Sequence, residues 1–251
     1  QTVVNVRGEA SESKDYLFFV TRLGVVKRTA VSEFSNIRTN GLKAVTLHDD
    51  DEVLSVEITD GTQNIIIATH NGYSVSFAEA DVRVMGRSAA GVRGIRLREG
   101  DWVIGSDVLH DNDNVLVITE KGYGKQTPVS EYPIKGRGGK GIKTANITEK
   151  NGPLAGMIIV NGQEDIMVTT TQGVMIRFSV ASVSQTGRAT LGVRLIRLED
   201  EAQVATLAKV DQQEEVADED VSRETSDHAP LDNQQIDQVS QLLDRAQDDS
   251  E

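Results

Sequence analysis

Apolar residues in this chain fall into short runs, each ending at a turn and a glycine, and the arrangement occurs four times. The four copies are Tyr16–Gly24, Asn64–Gly72, Val115–Gly122 and Asp165–Gly173. Their glycines lie 48, 50 and 51 residues apart, a spacing typical of propeller-like repeat arrays. Because the runs are almost continuously apolar, they predict strands that are covered on both faces.

The second copy shows the elements that one repeat is expected to contain. Asn64–His70 is the apolar strand, and the two residues after it form a hairpin turn that needs positive φ angles. Tyr73–Phe77 returns as the second strand, Gly94–Leu97 is the third, and Trp102–Val108 is the fourth. The pattern therefore predicts an all-β, propeller-like body built from four-stranded blades of about 50 residues.

The repeats also set the expected boundaries of the body, residues 1–210. We expect residues 1–15 to contain the end of a preceding blade and a loop, because Thr2–Val6 resembles a fourth strand that lacks its first three. Four blades follow, at 16–62, 63–112, 113–162 and 163–210. The orphan strand suggests that the chain is cut from a longer protein.

The net charge of −13 is concentrated at the end of the chain. Residues 211–251 hold 14 acidic and 2 basic residues, which leaves 25 acidic and 24 basic residues in 1–210. We expect this acidic tail to be mostly disordered, with a short helix at 232–246 where apolar residues recur at helical spacing. The body is close to neutral, yet basic residues in register can still create a strong local field.

Several classes of function lack the residues they need. The sequence has no cysteine, which excludes disulfides and thiolate zinc sites, and its four histidines are not at metal-ligand spacing. No apolar run approaches the roughly 18 residues of a membrane span, and no signal peptide is visible, so we expect no membrane partner. The lack of cysteine suits the reducing cytoplasm, where we expect the protein to act. No nucleophile–base or carboxylate pair recurs, so we expect no enzyme activity and no cofactor, nucleotide or metal site in this chain.

Basic residues recur around a second glycine that follows each turn glycine by 17 to 19 residues. The first basic column stands two residues after this glycine and consists of Lys43, Arg93, Lys143 and Arg194. The second basic column precedes it, with a Gly-Arg pattern in three copies, and consists of Arg38, Arg87, Arg137 and Arg188. A charge that is repeated once per blade forms an arc, and a basic arc suits a polyanion.

Internal ion pairs are the competing explanation of the basic columns. Nine residues after the turn glycine an acid stands in three copies, as Glu33, Asp81 and Glu131, and arginines of the second column can pair with these acids. Exposed pairs of this kind contribute only about 0–1 kcal/mol each. Two basic columns against one incomplete acidic column leave charge unmatched, so we favour contact with phosphates.

The loops that carry the columns indicate which polyanion is bound. Basic loops rich in glycine let their backbone approach closely, and they offer both N–H groups and guanidinium forks to phosphate. Aromatic residues are only 4% of the chain and are not interleaved with these loops, which disfavours base stacking on single strands. We therefore predict that duplex DNA is bound through its backbone, without sequence specificity.

Several segments also resemble a known family. They are Asn71–Tyr73, Gly91–Leu97, Lys121–Lys125 with Val129–Pro133, and Gly192–Leu198. Through roughly residues 1–210 and all four repeats, the chain resembles the C-terminal domain of the gyrase A protein of bacterial DNA gyrase. The resemblance implies a β-pinwheel, a propeller-like disc whose blades exchange strands with their neighbours and whose basic rim wraps duplex DNA.

The same resemblance implies the setting of the domain and its DNA contacts. Wrapping would serve negative supercoiling by an ATP-dependent type II topoisomerase, whose DNA cleavage and whose ATP and Mg²⁺ lie outside this chain. The implied partners, beside DNA, are a second copy of gyrase A and the gyrase B protein, in an A2B2 heterotetramer associated with the nucleoid. The rim positions carried over are Arg38, Lys43, Arg87, Arg93, Arg137, Lys140, Lys143, Arg188 and Arg194.

The resemblance leaves three questions open. Lys135–Gly141 resembles the gyrase-box heptapeptide but differs at its first two positions, so we interpret it as a degenerate copy that contacts DNA. The alternatives to a gyrase domain are the C-terminal domain of the topoisomerase IV counterpart of gyrase A and a propeller scaffold that binds proteins. The acidic tail either solubilises the chain or competes with DNA for the basic rim.

Overall fold

The computed structural model describes residues 13–35, 41–199 and 201–211. The first repeat contains β1 (Tyr16–Thr21), β2 (Val25–Ala30) and β3 (Val53–Thr59). The second contains β4 (Asn64–Thr69), β5 (Tyr73–Ala78), β6 (Val92–Arg93) and β7 (Val103–Leu109). The third contains β8 (Asn114–Thr119), β9 (Tyr123–Pro128), β10 (Ile142–Lys143) and β11 (Leu154–Val160).

The fourth repeat and four short 3₁₀ turns complete the described elements. The strands of this repeat are β12 (Glu164–Thr170), β13 (Met175–Ser179), β14 (Val193–Arg194) and β15 (Val204–Asp211). One 3₁₀ turn follows the second strand of each repeat, at Val31–Phe34, Glu79–Asp81, Val129–Glu131 and Val180–Ser182. Within the described ranges no helix is long and apolar enough to cross a bilayer.

Three of the four sheets take their outer strand from the next repeat. The first sheet has the order β3-β1-β2-β6, so Val92–Arg93 of the second repeat pairs with Val25–Val26 of the first. The second and third sheets follow the same plan, as β7-β4-β5-β10 and β11-β8-β9-β14. The fourth sheet, β15-β12-β13, has no donated strand among the described residues. The strand exchange implied by the resemblance is therefore present.

The donated strand differs from the third strand that the sequence predicts. We expected Gly94–Leu97 to be a strand of its own blade, whereas the strand is Val92–Arg93 and belongs to the preceding sheet. A Cβ on Gly94 would lie 2.5 Å from Val26 Cγ1, so the loop crosses too close to β2 for a larger residue. The amides of Gly94 and Ile95 instead donate to the carbonyl of Gly24, at 2.8 and 3.3 Å.

The hydrophobic core is divided among the spaces between consecutive sheets. Because alternate side chains of a strand point to opposite faces, one strand serves two neighbours. In β4, Ile65 and Ile67 cluster with Phe18 of the first sheet, whereas Ile66 clusters with Val115 of the third. Both faces of the strand are buried, which explains the continuous apolar run. The predicted all-β fold of four propeller-like units is confirmed.

Carboxyl groups come close together on β3 and β7, the edge strands opposite the donated strands. Asp107 of β7 accepts a hydrogen bond from the amide of Ile159 at 2.9 Å. Burial, followed by the neighbouring Asp107, raises the pKa of Glu57 in β3 to about 7, while the ammonium of Lys209 in β15 opposes this shift. Burial also raises the pKa of Asp107. Glu57, Asp107 and Lys209, from the first, second and fourth repeats, thus lie close enough to influence one another.

Three predictions concern residues outside the described ranges. They are the orphan strand at Thr2–Val6, the rim position Arg38, and the acidic tail beyond Asp211 with its short helix at 232–246. These remain predictions from the sequence.

Replacing Gly141 by alanine tests the close crossing of a donated loop over the preceding sheet. Gly141 has a φ of +74°, and a Cβ there would lie 2.5 Å from the carbonyl oxygen of Ser74. We expect Gly141→Ala to lower the free energy of unfolding by about 2–4 kcal/mol, because both the φ angle and the backbone contact resist adjustment. Gly136→Ala is the control, since a Cβ at Gly136 meets nothing within 4 Å. Urea unfolding measures both, and equal losses would contradict the close crossing.

The raised pKa of Glu57 makes the stability of the fold depend on pH. The pKa rises on folding from 4.5 to about 7, so the folded state holds a proton that the unfolded state releases. The stabilisation is fully present below pH 4.5 and is lost as the pH rises to about 7. We expect Glu57→Gln to lose less stability than the unchanged protein over this range. Thermal unfolding at several pH values measures the difference, and parallel profiles would refute the expectation.

Candidate nucleic-acid interface

The first basic column lies on the donated strands, at the outer edges of the sheets. Each of its members in β6, β10 and β14 pairs with the residue directly after a turn glycine: Arg93 with Val25, Lys143 with Tyr73, and Arg194 with Tyr123. The three cations therefore occupy one register position on three successive sheets. Their side chains are exposed, as is that of Lys43 in the first repeat.

No carboxylate among the described residues holds a cation of this column. The side chains of Lys43, Arg93 and Lys143 make no hydrogen bond or ion pair with any described residue. Arg194 donates from Nη2 to the hydroxyl of Tyr123 at 2.9 Å, and its guanidinium carbon lies 5.3 Å from the centre of that ring. These contacts leave the charge of Arg194 intact, so the column presents positive charge at every described position.

Two arginines of the second basic column join consecutive repeats. Arg137 donates from Nε to the carbonyl of Asp81 at 3.0 Å and from Nη1 to the carbonyl of Arg93 at 3.1 Å. Arg188 donates from Nη1 to the carbonyl of Lys143 at 2.9 Å. Each arginine therefore holds the backbone of the first-column cation that belongs to the preceding repeat.

The internal ion pairs considered from the sequence form at one of the three acidic positions. Arg188 Nε lies 3.9 Å from Glu131 Oε2, which also accepts a hydrogen bond from the Arg188 amide at 3.1 Å. Asp81 contacts Arg137 through its backbone carbonyl, and Glu33 has no ion pair with a described residue. Backbone carbonyls, more than carboxylates, are the partners of this column.

Arg87 and Lys140 complete the described part of the predicted site. Arg87 is half-buried and Lys140 is exposed, and neither side chain makes a hydrogen bond or ion pair within the described ranges. The backbone carbonyl of Lys140 accepts a hydrogen bond from Arg98 Nη1 at 2.8 Å. That these residues contact DNA stays a prediction.

Sequence reasoning missed three arginines that lie beside the first column. Arg96 and Arg197 are exposed, and each lines a surface cleft together with a first-column arginine, Arg93 or Arg194. Both stand three residues after that arginine, but the third copy has asparagine there, so the repeat is incomplete. Arg98 covers an aromatic ring, with its guanidinium carbon 3.3 Å from the centre of Tyr73.

Two lysines under the basic loops were also missed. Lys27 and Lys125 stand three residues after a turn glycine, and each is only 1% exposed. Their ammonium groups donate to backbone carbonyls of the loops, including those of Arg87 and Arg188. Burial lowers the pKa of each lysine to about 8, and for Lys27 the charge of Arg87 adds to the shift. The other two copies have valine and isoleucine at this position, so no complete column marks it.

A comparison with known protein families matches the one described as DNA gyrase C-terminal domain, beta-propeller. The match covers residues 15–60, 63–109, 113–161 and 164–211, which are the four repeats. The DNA gyrase A protein of Streptococcus pyogenes serotype M3 is 62% identical over 227 residues, covering 90% of this chain and 27% of that protein. The chain thus spans about a quarter of the length of the curated relatives that it matches.

Two solved structures share the fold. The crystal structure of the C-terminal domain of DNA topoisomerase IV has a TM-score of 0.78 and 26% identity, over 83% of this chain and 65% of that one. The structure of the DNA gyrase A C-terminal domain has a TM-score of 0.73 and 25% identity, over 83% of this chain and 69% of that one. The resemblance observed in the sequence is confirmed.

Replacing Arg188 by glutamine tests the contact between repeats. We expect Arg188→Gln to lower the free energy of unfolding by about 1–2 kcal/mol, because the carbonyl of Lys143 loses a charged donor. Lys143→Gln is the control, since its exposed side chain makes no described contact, and we expect a change within about 0.5 kcal/mol. Urea unfolding gives both values. Equal effects would mean that the arginine does not link the repeats.

Proposed function

We propose that this chain, which belongs to the family of DNA gyrase C-terminal domains, binds duplex DNA along its basic rim and bends it around the propeller-like body. By the basic rim we mean the two basic columns and Lys140. The contacts are made to phosphates, so binding does not depend on base sequence. The chain itself carries no catalytic residue in this proposal and needs no cofactor.

One observation carries the proposal. Arg93, Lys143 and Arg194 occupy the same register position on the outer strands of three successive sheets, and their exposed side chains have no carboxylate partner among the described residues. A residue that only stabilised its own blade would be expected to pair within that blade. Cations at the same place on each outer strand instead form a line of phosphate contacts.

The energetics of bending require such a line. Smooth bending of a duplex costs of order 1–6 kcal/mol for 20–30 base pairs. A single exposed phosphate contact cannot offset this cost, whereas contacts repeated on successive sheets can. The near-neutral charge of residues 1–210 does not oppose this, because the cations of the basic rim act locally within a Debye length of about 10 Å.

In the complete gyrase A protein, the bent DNA would serve negative supercoiling. This chain corresponds to about a quarter of the gyrase A relatives, and we assign DNA cleavage to the remainder. The gyrase B protein would supply ATP hydrolysis with Mg²⁺, in an A2B2 complex of two copies of each protein. The complex would act in the cytoplasm on the DNA of the nucleoid.

The C-terminal domain of the topoisomerase IV counterpart of gyrase A is the second candidate, because the topoisomerase IV crystal structure has a TM-score of 0.78 against this chain. The 62% identity to a gyrase A protein favours gyrase over it, since the identity to the topoisomerase IV domain is 26%. A supercoiling assay on the complete enzyme separates the two, because gyrase introduces negative supercoils with ATP.

Charge reversal on the first basic column tests the proposed line of contacts. We expect Arg93→Glu, Lys143→Glu and Arg194→Glu each to weaken the binding of a long duplex and to lower its salt dependence by about 0.9 in the slope of log K against log salt. The triple variant should lose about three times this slope and most of the bending. Mobility shift across salt concentrations measures affinity, and energy transfer between labelled DNA ends measures bending.

A charge-conserving triple variant is the matched control. Arg93→Lys, Lys143→Arg and Arg194→Lys together keep the net charge, so the salt slope should stay close to that of the unchanged chain. Single and triple reversals with the same effect would argue against a line of additive contacts. If the unchanged chain failed to retard duplex DNA even at low salt, the DNA function itself would be wrong and a scaffold for proteins would be favoured.

A further inference from the structure

We propose that Lys27 and Lys125 are positioning residues, whose buried ammonium groups fix the basic loops of the following repeats in the conformation that meets DNA. The effect on DNA rests on the function proposed above. The effect on the loops does not, because it follows from contacts within the protein alone.

Lys27, on a strand of the first sheet, forms hydrogen bonds to two loops. It lies on β2, and its Nζ donates to the carbonyls of Ala44 and Arg87, each at 2.5 Å. Ala44 follows the first-column cation Lys43 in the first repeat, and Arg87 is the second-column arginine of the next repeat. One ammonium thus holds the backbone beside two cations of the basic rim. The centre of the Phe19 ring lies 5.4 Å from this Nζ, within the range of a cation–π contact.

Lys125 makes the equivalent contacts under the third sheet. It lies on β9, and its Nζ donates to the carbonyl of Gly187 at 2.7 Å, to the carbonyl of Arg188, and to Thr190 Oγ1 at 3.2 Å. Three acceptors from one loop match the three N–H bonds of an ammonium. Because Arg188 also donates to the carbonyl of Lys143, Lys125 indirectly supports two cations of the basic rim, Arg188 and Lys143.

The second sheet is a natural comparison, because Val75 stands at the equivalent position of β5. Among the described residues no lysine ammonium donates to a carbonyl of the loop 135–141, and Val75 lines a cavity together with Lys135, Gly136 and Lys140 of that loop. Other contacts hold this loop: Arg137 donates to two carbonyls, the amide of Gly138 donates to the carbonyl of Gly94 at 2.5 Å, and the amide of Lys135 donates to the carbonyl of Ser76 in β5 at 2.8 Å. A buried lysine at this position therefore supports two of the loops, and the fold of a blade does not require it.

Burial makes the charge of the two ammonium groups sensitive to pH. Burial lowers the pKa of both lysines to about 8. The charged groups that face Lys27 are Glu33 and Arg87, and those that face Lys125 are Glu131 and Arg188. Carboxylates and guanidinium groups do not change charge between pH 7 and 9. Loss of a proton from each lysine in this range leaves two N–H bonds and so weakens the hold on the loops.

Amide hydrogen exchange of the free protein tests the positioning directly. We expect Lys27→Met to raise the exchange of the Ala89 amide, which donates to the carbonyl of Gly86, about tenfold or more, because a charge-assisted hydrogen bond that holds this loop is lost. The amide of Arg188, which donates to Glu131, should not change. Lys125→Met should do the reverse. Each variant is thus the control for the other, and loop 135–141 should be unaffected in both. No change in the loops, or a uniform rise across the body, would overturn the proposal.

DNA binding provides the second readout. We expect each variant to bind duplex DNA about three- to tenfold more weakly at pH 7, and Lys14→Met, which removes one charge at an exposed position, to have less effect. The affinity of the unchanged chain should fall between pH 7 and 9 more than that of either variant. If amide exchange rises without any loss of affinity for DNA, the lysines are structural and have no role in binding. If the unchanged chain binds no DNA, the proposed function fails while the exchange result still stands.

A measurement on the unchanged chain covers the case in which the variants do not fold. Nitrogen-15 spectroscopy of the lysine side chains at pH 7 should show two ammonium groups whose protons exchange slowly with water, because both are buried and hydrogen-bonded. If the ammonium protons of Lys27 and Lys125 exchange as fast as those of exposed lysines, the proposal is wrong.

Discussion

A cationic side chain that donates to a backbone carbonyl is the interaction on which the basic rim depends. Arg137 and Arg188 reach carbonyls of the preceding repeat, and Lys27 and Lys125 reach carbonyls of the following one. A carboxylate in the same place would give a stronger pair but would cancel the charge. A carbonyl satisfies the donor and leaves the net positive charge available to phosphate. The rim is therefore held rigid without being neutralised.

Strand donation makes each basic loop part of two repeats. A donated strand of two residues forms few hydrogen bonds, so its position depends on the fit of the loop against the preceding sheet. Gly94 and Gly141 permit that fit because a Cβ would meet Val26 or Ser74 at 2.5 Å. The position of a cation such as Lys143 consequently depends on contacts with its own blade and with the blade that receives its strand.

The sequence predicts the repeats and the first basic column well, because both recur in every copy. It does not reveal that Val92–Arg93 pairs with the preceding sheet, since a two-residue strand has no periodicity and the pairing depends on contacts between blades. The lysines at positions 27 and 125 are hidden for a related reason, as only two of four repeats carry them. The acids near the second column suggested ion pairs, whereas most arginine partners are backbone carbonyls, which no sequence pattern marks.

The described loops of the basic rim are held in two ways, and both have a consequence for the proposed binding. In the proposed function, loops that are clamped by an ammonium would give up less entropy when phosphates order them, because they have already lost conformational freedom. No lysine in the described part of the chain donates to a carbonyl of loop 135–141, which carries Lys135 and Lys140 as additional cations. Other donors hold it in place, because Arg137 donates to two carbonyls and the amides of Lys135 and Gly138 donate to the carbonyls of Ser76 and Gly94. In the proposed function, both kinds of contact would order the loops before DNA binds, so the protein and not the DNA would set the path of the bound duplex.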